Sequence, residues 1–204
     1  MALAKGPGLE ELSRAFFARQ GFIAIRSVSI QFEGEEVTDV DVWLYGRQGG
    51  GVRTRSLVDV KDKRSPKAFE RVLWARGMQL ALGCDRAIVA TTDTSAKVAR
   101  FAQQQKVALL TASFLRRWAE DNPVSDRLNQ EEYHSNIQSY LQHKTDGDWL
   151  KQIALAKSAV VSLPPYPAFN KAMSSFRFFA ERAATRPQHR EQALRGAYLS
   201  AALA

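Results

Sequence analysis

Residues 37–45, V-T-D-V-D-V-W-L-Y, and residues 56–61, S-L-V-D-V-K, decide the fold. Apolar and polar side chains alternate along both stretches, and alternation with a period of two is typical of a β-strand. Asp41 lies on one face of the first predicted strand, whereas Asp59 and Lys61 share one face of the second. Because neighbouring strands lie about 4.8 Å apart, we expect these three side chains to meet if the two strands pair.

The segments around these two strands predict an α/β domain. A helix is expected over residues 9–20. A strand over residues 22–26, extending to about residue 32, is expected to form an antiparallel hairpin with the strand that contains Asp41. Later elements are a helix over 65–82, a strand over 86–92, a helix over 94–105, a strand over 107–110 and a helix over 113–118. Because the two later strands are short and apolar, as in parallel strands covered on both faces, we expect a mixed sheet flanked by helices.

The helix over 65–82 has clear start and stop signals. Ser65-Pro66 is typical of a helix start, with serine as the N-cap and proline at the first helical position, and Gly83 is typical of a helix end. The expected buried stripe of this helix contains four apolar residues: Phe69, Val72, Leu73 and Leu80.

The sequence changes character after residue 122, where strand-like runs disappear and helix formers dominate. We expect an α/β domain over residues 1–122 and an all-α C-terminal module over residues 123–204. The predicted helices of this module span 125–143, 148–161, 167–184 and 188–204, and the prolines at 164–167 separate the second helix from the third. From Lys171 onward the module has six basic and two acidic residues. Its last helices either contact a DNA backbone or present a solvated face.

The composition narrows the class of protein. With 45% hydrophobic and 25% charged residues in a chain of 204, the composition is that of an ordinary globular protein. The single cysteine, Cys84, excludes an intramolecular disulfide. The sequence contains neither a run of eighteen apolar residues nor an apolar N-terminal segment that would predict a signal peptide. We therefore expect a cytoplasmic protein that is not bound to a membrane.

The charge balance favours a polyanionic partner. Lysine and arginine number 29 against 21 acidic residues, which gives a formal net charge of +8, and basic groups that neutralise phosphates release counterions. A basic balance is also common in proteins that have no such partner. Phosphate-cradling, dinucleotide-binding, serine-esterase and zinc-finger motifs are absent from the sequence, so we expect no nucleotide cofactor.

The predicted pair of acids requires a counter-charge. Two carboxylates about 4 Å apart repel by roughly 4 kcal/mol at an effective dielectric constant of 20. Three arrangements offset this repulsion: one acid is protonated, Lys61 pairs with an acid, or a divalent cation lies between the acids. Magnesium prefers oxygen ligands, and one or two carboxylates with a substrate phosphate form a sufficient site. Such a cation supports phosphodiester hydrolysis, in which Lys61 would orient the attacking water or stabilise developing negative charge.

The order of these elements, with Asp41 on one strand and Asp59-Val60-Lys61 on the next, resembles the core of the PD-(D/E)xK nucleases, and particularly their Mrr-like branch. The resemblance covers about residues 6–118 and implies a restriction-endonuclease-like αβββαβ core. It implies that Asp41 and Asp59 bind the metal and that Lys61 is the catalytic lysine. Glu10 matches a first-helix glutamate that often completes the metal site and the catalytic set. The third-strand acid is aspartate here, where glutamate is commoner in the family.

The activity implied by this resemblance is metal-dependent hydrolysis of DNA phosphodiester bonds by an endonuclease, with Mg²⁺ as cofactor and Mn²⁺ able to replace it. A homodimer is expected because a double-strand cut normally requires two active sites. RNA and branched nucleic acids share this chemistry, and the sequence does not separate them from DNA. The alternative is a catalytically inactive nuclease-fold protein that acts as a DNA-binding or protein-assembly module.

Several of these residues also have a structural explanation. Asp39 is either an alternative metal ligand or a solvent-facing neighbour, and we favour the second. Glu10 is also explained by the helix dipole, which favours an acid in the first turn of a helix. Lys63, Arg64 and Lys67 are predicted to contact backbone phosphates beside the site, although a solvated basic turn explains them nearly as well.

Overall fold

The structure is a computed structural model of the chain, and it describes residues 8–33, 35–47, 52–63, 67–123 and 128–204. The chain divides into two compact units. The first unit consists of Met1–Ser27 and Val40–Asp126, and the second consists of Val28–Asp39 and Arg127–Ala204. The second unit thus contains part of the strand region as well as the C-terminal helices.

A five-stranded sheet arranges the strands in the order of the chain. Its members are β1 (Ile23–Phe32), β2 (Glu35–Arg47), β3 (Arg53–Lys61), β4 (Arg86–Thr91) and β5 (Ala108–Thr111). β2 and β3 are antiparallel, whereas β3 pairs with β4 and β4 with β5 in parallel. The mixed sheet and its flanking helices confirm the predicted α/β class and the parallel strands at its later edge.

One face of the sheet contributes to the apolar core of the first unit. The helices of this unit are α1 (Leu9–Arg19), α2 (Ala68–Ala81), α3 (Ala96–Gln104) and α4 (Ala112–Asp121). Val42 lies opposite Val58 across the antiparallel pair, and Val58 lies opposite Ile88 across the parallel pair. These valines and the isoleucine pack in one cluster with Leu12 of α1 and Leu115 of α4. The core therefore holds both strands that carry the predicted acids in a fixed register.

Local signals explain where the helices start and end. Gly21 follows α1 with φ +86°, a left-handed conformation that favours glycine. Ser95 Oγ accepts a hydrogen bond of 3.3 Å from the Val98 N–H at the start of α3, as an N-cap does. The predicted cap of α2, Ser65-Pro66, lies outside the described residues.

The buried face of α2 differs from the predicted stripe. Val72 is buried, but Phe69, Leu73 and Leu80 are 47%, 55% and 67% exposed. α2 instead packs on β3 and β4 and buries a narrow stripe formed by Ala68, Val72, Ala75 and Gln79. At 3.6 residues per turn the three exposed residues lie roughly 90–130° around the helix from the centre of this stripe. The prediction was wrong because the small side chains of α2, and not its largest ones, face the sheet.

β5 also differs from its prediction as a buried strand. Ala108 is exposed, and the remaining residues of β5 are half-buried. β5 comes last in the strand order, next to β4, so an edge position explains its partial exposure.

The second unit contains a helical core. Its helices are α5 (Gln130–Gln138), α6 (Trp149–Ser162), α7 (Pro165–Thr185) and α8 (Arg190–Leu203), and a 3₁₀ turn spans Pro187–His189. Trp149 and Phe179 are fully buried in this core, with ring centroids 5.7 Å apart. A Cβ at Gly196 would lie 2.7 Å from the Phe179 ring, so glycine permits the close approach of α8 to α7. Within the described part of the chain, none of the helices combines the length and the apolar character that a membrane span needs.

Candidate active site

Asp41, Asp59 and Lys61 come together where β2 and β3 run side by side. In the register of this pair, Trp43 lies opposite Leu57 and Val42 lies opposite Val58. Asp41 and Asp59 come one position beyond the Val42–Val58 pair, and Lys61 comes two residues after Asp59. Lys61 Nζ lies 4.0 Å from Asp41 Oδ2 and 3.9 Å from Asp59 Oδ1. The two acids and the ammonium group therefore meet at one point, on the face that the strand alternation predicts.

Asp41 is a half-buried acid with a perturbed pKa. Its Oδ2 accepts a hydrogen bond of 2.6 Å from the backbone N–H of Val60. Burial raises the pKa of Asp41 from 3.8 to about 6, and the charges of Asp59 and Glu10 also raise it, whereas the Val60 N–H and the Lys61 charge oppose this shift. Asp41 is thus a carboxylate that changes its charge slightly below neutral pH.

Asp59 is more deeply buried and is held by an arginine. Its side chain is only 1% exposed. Arg71, on α2, donates from Nε to Asp59 Oδ2 at 2.8 Å and from Nη2 to Asp59 Oδ1. The guanidinium carbon of Arg71 also lies 4.4 Å from the centroid of the Trp74 ring, within the range of a cation–π contact. Both carboxylate oxygens of Asp59 are therefore engaged by one guanidinium.

Arg71 is absent from the site that the sequence predicts. It lies twelve residues after Asp59 and one residue before the buried Val72. This position at the edge of the buried stripe of α2 is the signal that would have indicated it. The signal depends on which stripe of α2 is buried, and the apolar pattern of this helix predicts the wrong stripe.

Glu10, on α1, is held by a different arginine. Arg26 Nη2 donates to Glu10 Oε2 at 2.9 Å, and Arg26 Nη1 donates to Glu11 Oε2 at 3.1 Å. Glu11 also accepts from Arg14 Nε at 2.8 Å. Glu10 lies close enough to Asp41 to raise its pKa, but its carboxylate is directed to Arg26.

The three predicted metal ligands fit a cation unequally. Asp41 and Asp59 supply the oxygen donors that Mg²⁺ prefers, and two carboxylates with waters and a phosphate are a sufficient set. Glu10 shares its carboxylate with Arg26, which donates to its Oε2. Within the described ranges, no three acidic, histidine or cysteine side chains are grouped closely enough to hold a metal ion. The chemistry of the donors thus fits a site formed by Asp41 and Asp59, with Arg71 as a competing cation at Asp59.

The residues that are predicted to contact phosphates come after β3 in the chain. Lys63 is exposed, and Lys67 is exposed with its Nζ 3.4 Å from Glu70 Oε2. Arg64 lies outside the described residues. Asp39 is exposed on β2, in agreement with a solvent-facing neighbour of Asp41.

Comparisons with known proteins do not identify a family for this chain, since neither a protein-family model, nor a curated protein, nor a solved structure matches it.

Proposed function

We propose that this chain is a metal-dependent endonuclease that hydrolyses DNA phosphodiester bonds, with a restriction-endonuclease-like core in its first unit. The observation that carries the proposal is the position of Lys61 Nζ, within 4.0 Å of a carboxylate oxygen of both Asp41 and Asp59. These residues lie on adjacent strands, and Lys61 is partly exposed. Two acids and an ammonium group at one point suit the binding of a divalent cation and a phosphate.

Asp41 and Asp59 would hold Mg²⁺, which Mn²⁺ would replace. When bound, the cation supplies positive charge at the phosphate and lowers the pKa of a bound water. Lys61 would donate hydrogen bonds to a phosphate oxygen and would stabilise the negative charge that develops on it during hydrolysis. Asp41 supplies a negative charge to the site only when it is ionised, which its raised pKa makes dependent on pH near 6.

The basic residues would receive the DNA backbone. Lys63 and Lys67 are exposed, and they come two and six residues after the end of the strand that holds Asp59 and Lys61. The net charge of +8 attracts a polyanion over a longer range. A homodimer would place two such sites on one duplex.

A second candidate is DNA binding without hydrolysis. The specific observation in its favour is the pairing of Arg71 with both oxygens of Asp59. A guanidinium in this position satisfies the buried carboxylate without a metal. This nuclease-fold protein would use its basic residues to bind DNA or to assist assembly, and its acids would serve the fold.

Cleavage assays with purified protein separate the two candidates. Plasmid, linear and branched DNA, with RNA as a parallel substrate, are incubated with Mg²⁺ or Mn²⁺. We expect wild-type protein to cut DNA in a reaction that a chelator stops. Lys61→Met and Asp41→Asn should reduce the rate by roughly a hundredfold or more, the effect of removing one group that stabilises a transition state.

Asp62→Asn is the matched control. Asp62 neighbours Lys61 in sequence but is exposed and pairs with Arg116 at 2.7 Å, so its removal should leave the rate within about twofold of wild type. DNA binding without any cutting would favour the second candidate. Cutting that persists in Lys61→Met would contradict the assigned site.

A further inference from the structure

Arg71 makes two separate contacts that hold its guanidinium at the candidate active site. Its fork donates to both oxygens of Asp59, and its guanidinium carbon lies 4.4 Å from the Trp74 ring centroid. Asp59, one of the two acids assigned to the metal, therefore already has a cationic partner before any metal binds.

The oxygens of Asp59 limit what else can bind there. A carboxylate has about four lone-pair directions, and the bidentate fork of Arg71 uses one on each oxygen. Lys61 Nζ lies a further 3.9 Å from Oδ1. A divalent cation at this carboxylate would meet a guanidinium and an ammonium group, both of the same charge sign as itself.

The exposure of the two partners indicates which of them can move. The Asp59 side chain is 1% exposed, whereas that of Arg71 is 23% exposed. Asp59 lies on a strand paired on both sides, and Arg71 is a long side chain on a helix. Arg71 therefore has a route toward solvent that Asp59 lacks.

We infer that Arg71 is a positioning residue that competes with a divalent cation for Asp59. It holds the carboxylate in place in the metal-free protein, and its guanidinium leaves at least one oxygen when a cation binds. Arg71 thereby weakens metal binding, and its positive charge compensates the negative charge of the buried Asp59 carboxylate until a metal is present. This inference rests on the metal of the proposed function, but not on DNA cleavage.

Direct titration with Mn²⁺ alone, without DNA, tests the competition. Calorimetry on the full chain compares wild type with Arg71→Ala and Arg71→Lys. We expect Arg71→Ala to bind Mn²⁺ on the order of tenfold more tightly, because a charge-assisted bidentate interaction no longer has to be broken. Arg71→Lys, which retains the charge but not the fork, should bind Mn²⁺ with an affinity between those of wild type and Arg71→Ala.

Two further variants complete the design. Arg76 lies on the same helix and donates to Gln79 Oε1 at 2.7 Å. The control substitution Arg76→Ala should therefore leave the Mn²⁺ affinity unchanged. Asp59→Asn added to Arg71→Ala should abolish the gain. A residue with only a structural role would lower the unfolding temperature when removed, but it would not tighten metal binding.

The possible results separate this inference from the proposed function. Unchanged, weaker or undetectable Mn²⁺ binding in Arg71→Ala would overturn the inference, whether or not the wild type cuts DNA. If Arg71→Ala does not fold, Arg71→Lys decides, and an affinity no tighter than wild type would also overturn it. Tighter Mn²⁺ binding in a protein that never cuts DNA would support the inference and contradict the proposed activity.

Discussion

At the scale of single residues, the candidate site combines two acids in different environments. Asp59 is almost completely buried and lies beside two cations, Lys61 and Arg71. Asp41 is less buried, and its partners are one backbone hydrogen bond and the Lys61 ammonium group at 4.0 Å. Burial disfavours the charged form of a carboxylate unless a cation compensates for the lost solvation. It therefore raises the pKa of Asp41, the acid that has no guanidinium partner in its described contacts.

The pH dependence of stability tests the environment of Asp41. Its pKa is about 6 in the folded chain, above the ordinary value of 3.8, so the folded chain binds more protons at this residue between these values than the unfolded chain does. The free energy of unfolding should therefore decrease by about 2 kcal/mol from this residue as pH rises from about 4 to about 6. Urea unfolding of wild type and Asp41→Asn across pH 4–8 measures this contribution as the difference between the two proteins.

Asparagine is a suitable replacement because its side-chain oxygen still accepts a hydrogen bond from the Val60 N–H. The other titrating groups are common to both proteins and largely cancel in the difference. A difference that stays constant across this pH range would mean that Asp41 is not buried as the structure has it.

At the scale of elements, α2 has two functions in the fold. Its narrow buried stripe, with Val72 and Ala75 fully buried, packs on β3 and β4. One flank of this stripe places Arg71 at Asp59. The opposite flank leaves Leu73 exposed. The orientation of α2 about its axis therefore decides whether the site has a guanidinium at all.

Two neighbouring substitutions test this orientation. Val72→Ala should reduce the free energy of unfolding by about 1–2 kcal/mol, since it leaves a cavity beneath the helix. Leu73→Ala should change it by less than about 0.5 kcal/mol, as substitutions of exposed side chains usually do. Chemical denaturation measures both, and the reverse order of effects would show that α2 is rotated about its axis.

At the scale of the whole molecule, charge is the property most relevant to a nucleic-acid partner. The chain carries a net charge of +8. Each protein cation that neutralises a phosphate contributes about −0.9 to the slope of log affinity against log salt concentration. Salt dependence therefore counts phosphate contacts without a structure of the complex.

Removing Lys63 and Lys67 together should make this slope shallower by about 2 if both contact phosphates. The measurement is the binding of a DNA duplex to Lys63→Ala/Lys67→Ala at several salt concentrations in the absence of divalent cations. Lys97→Ala/Arg100→Ala removes two exposed charges of α3 and serves as the charge-matched comparison. Equal slopes for the two double variants would show that Lys63 and Lys67 have no special role in DNA binding.

The sequence alone determined the strands and the face of each acid. Alternation along residues 37–45 and 56–61 assigns Asp41, Asp59 and Lys61 to one side of their strands because successive side chains of a strand point to opposite faces. This depends only on local backbone geometry, so one sequence suffices to predict it. The mixed sheet and the helical character of the C-terminal segment followed from similar local patterns.

Only the tertiary structure decided which cations meet these acids. Arg71 at Asp59 and Arg26 at Glu10 are contacts across twelve and sixteen residues, and the chain contains many other arginines. The choice depends on the rotation of α2 and the position of α1 against β1, which are set by how small and large side chains pack together. Local periodicity does not contain this information, since several stripes of α2 are apolar and packing selects one of them.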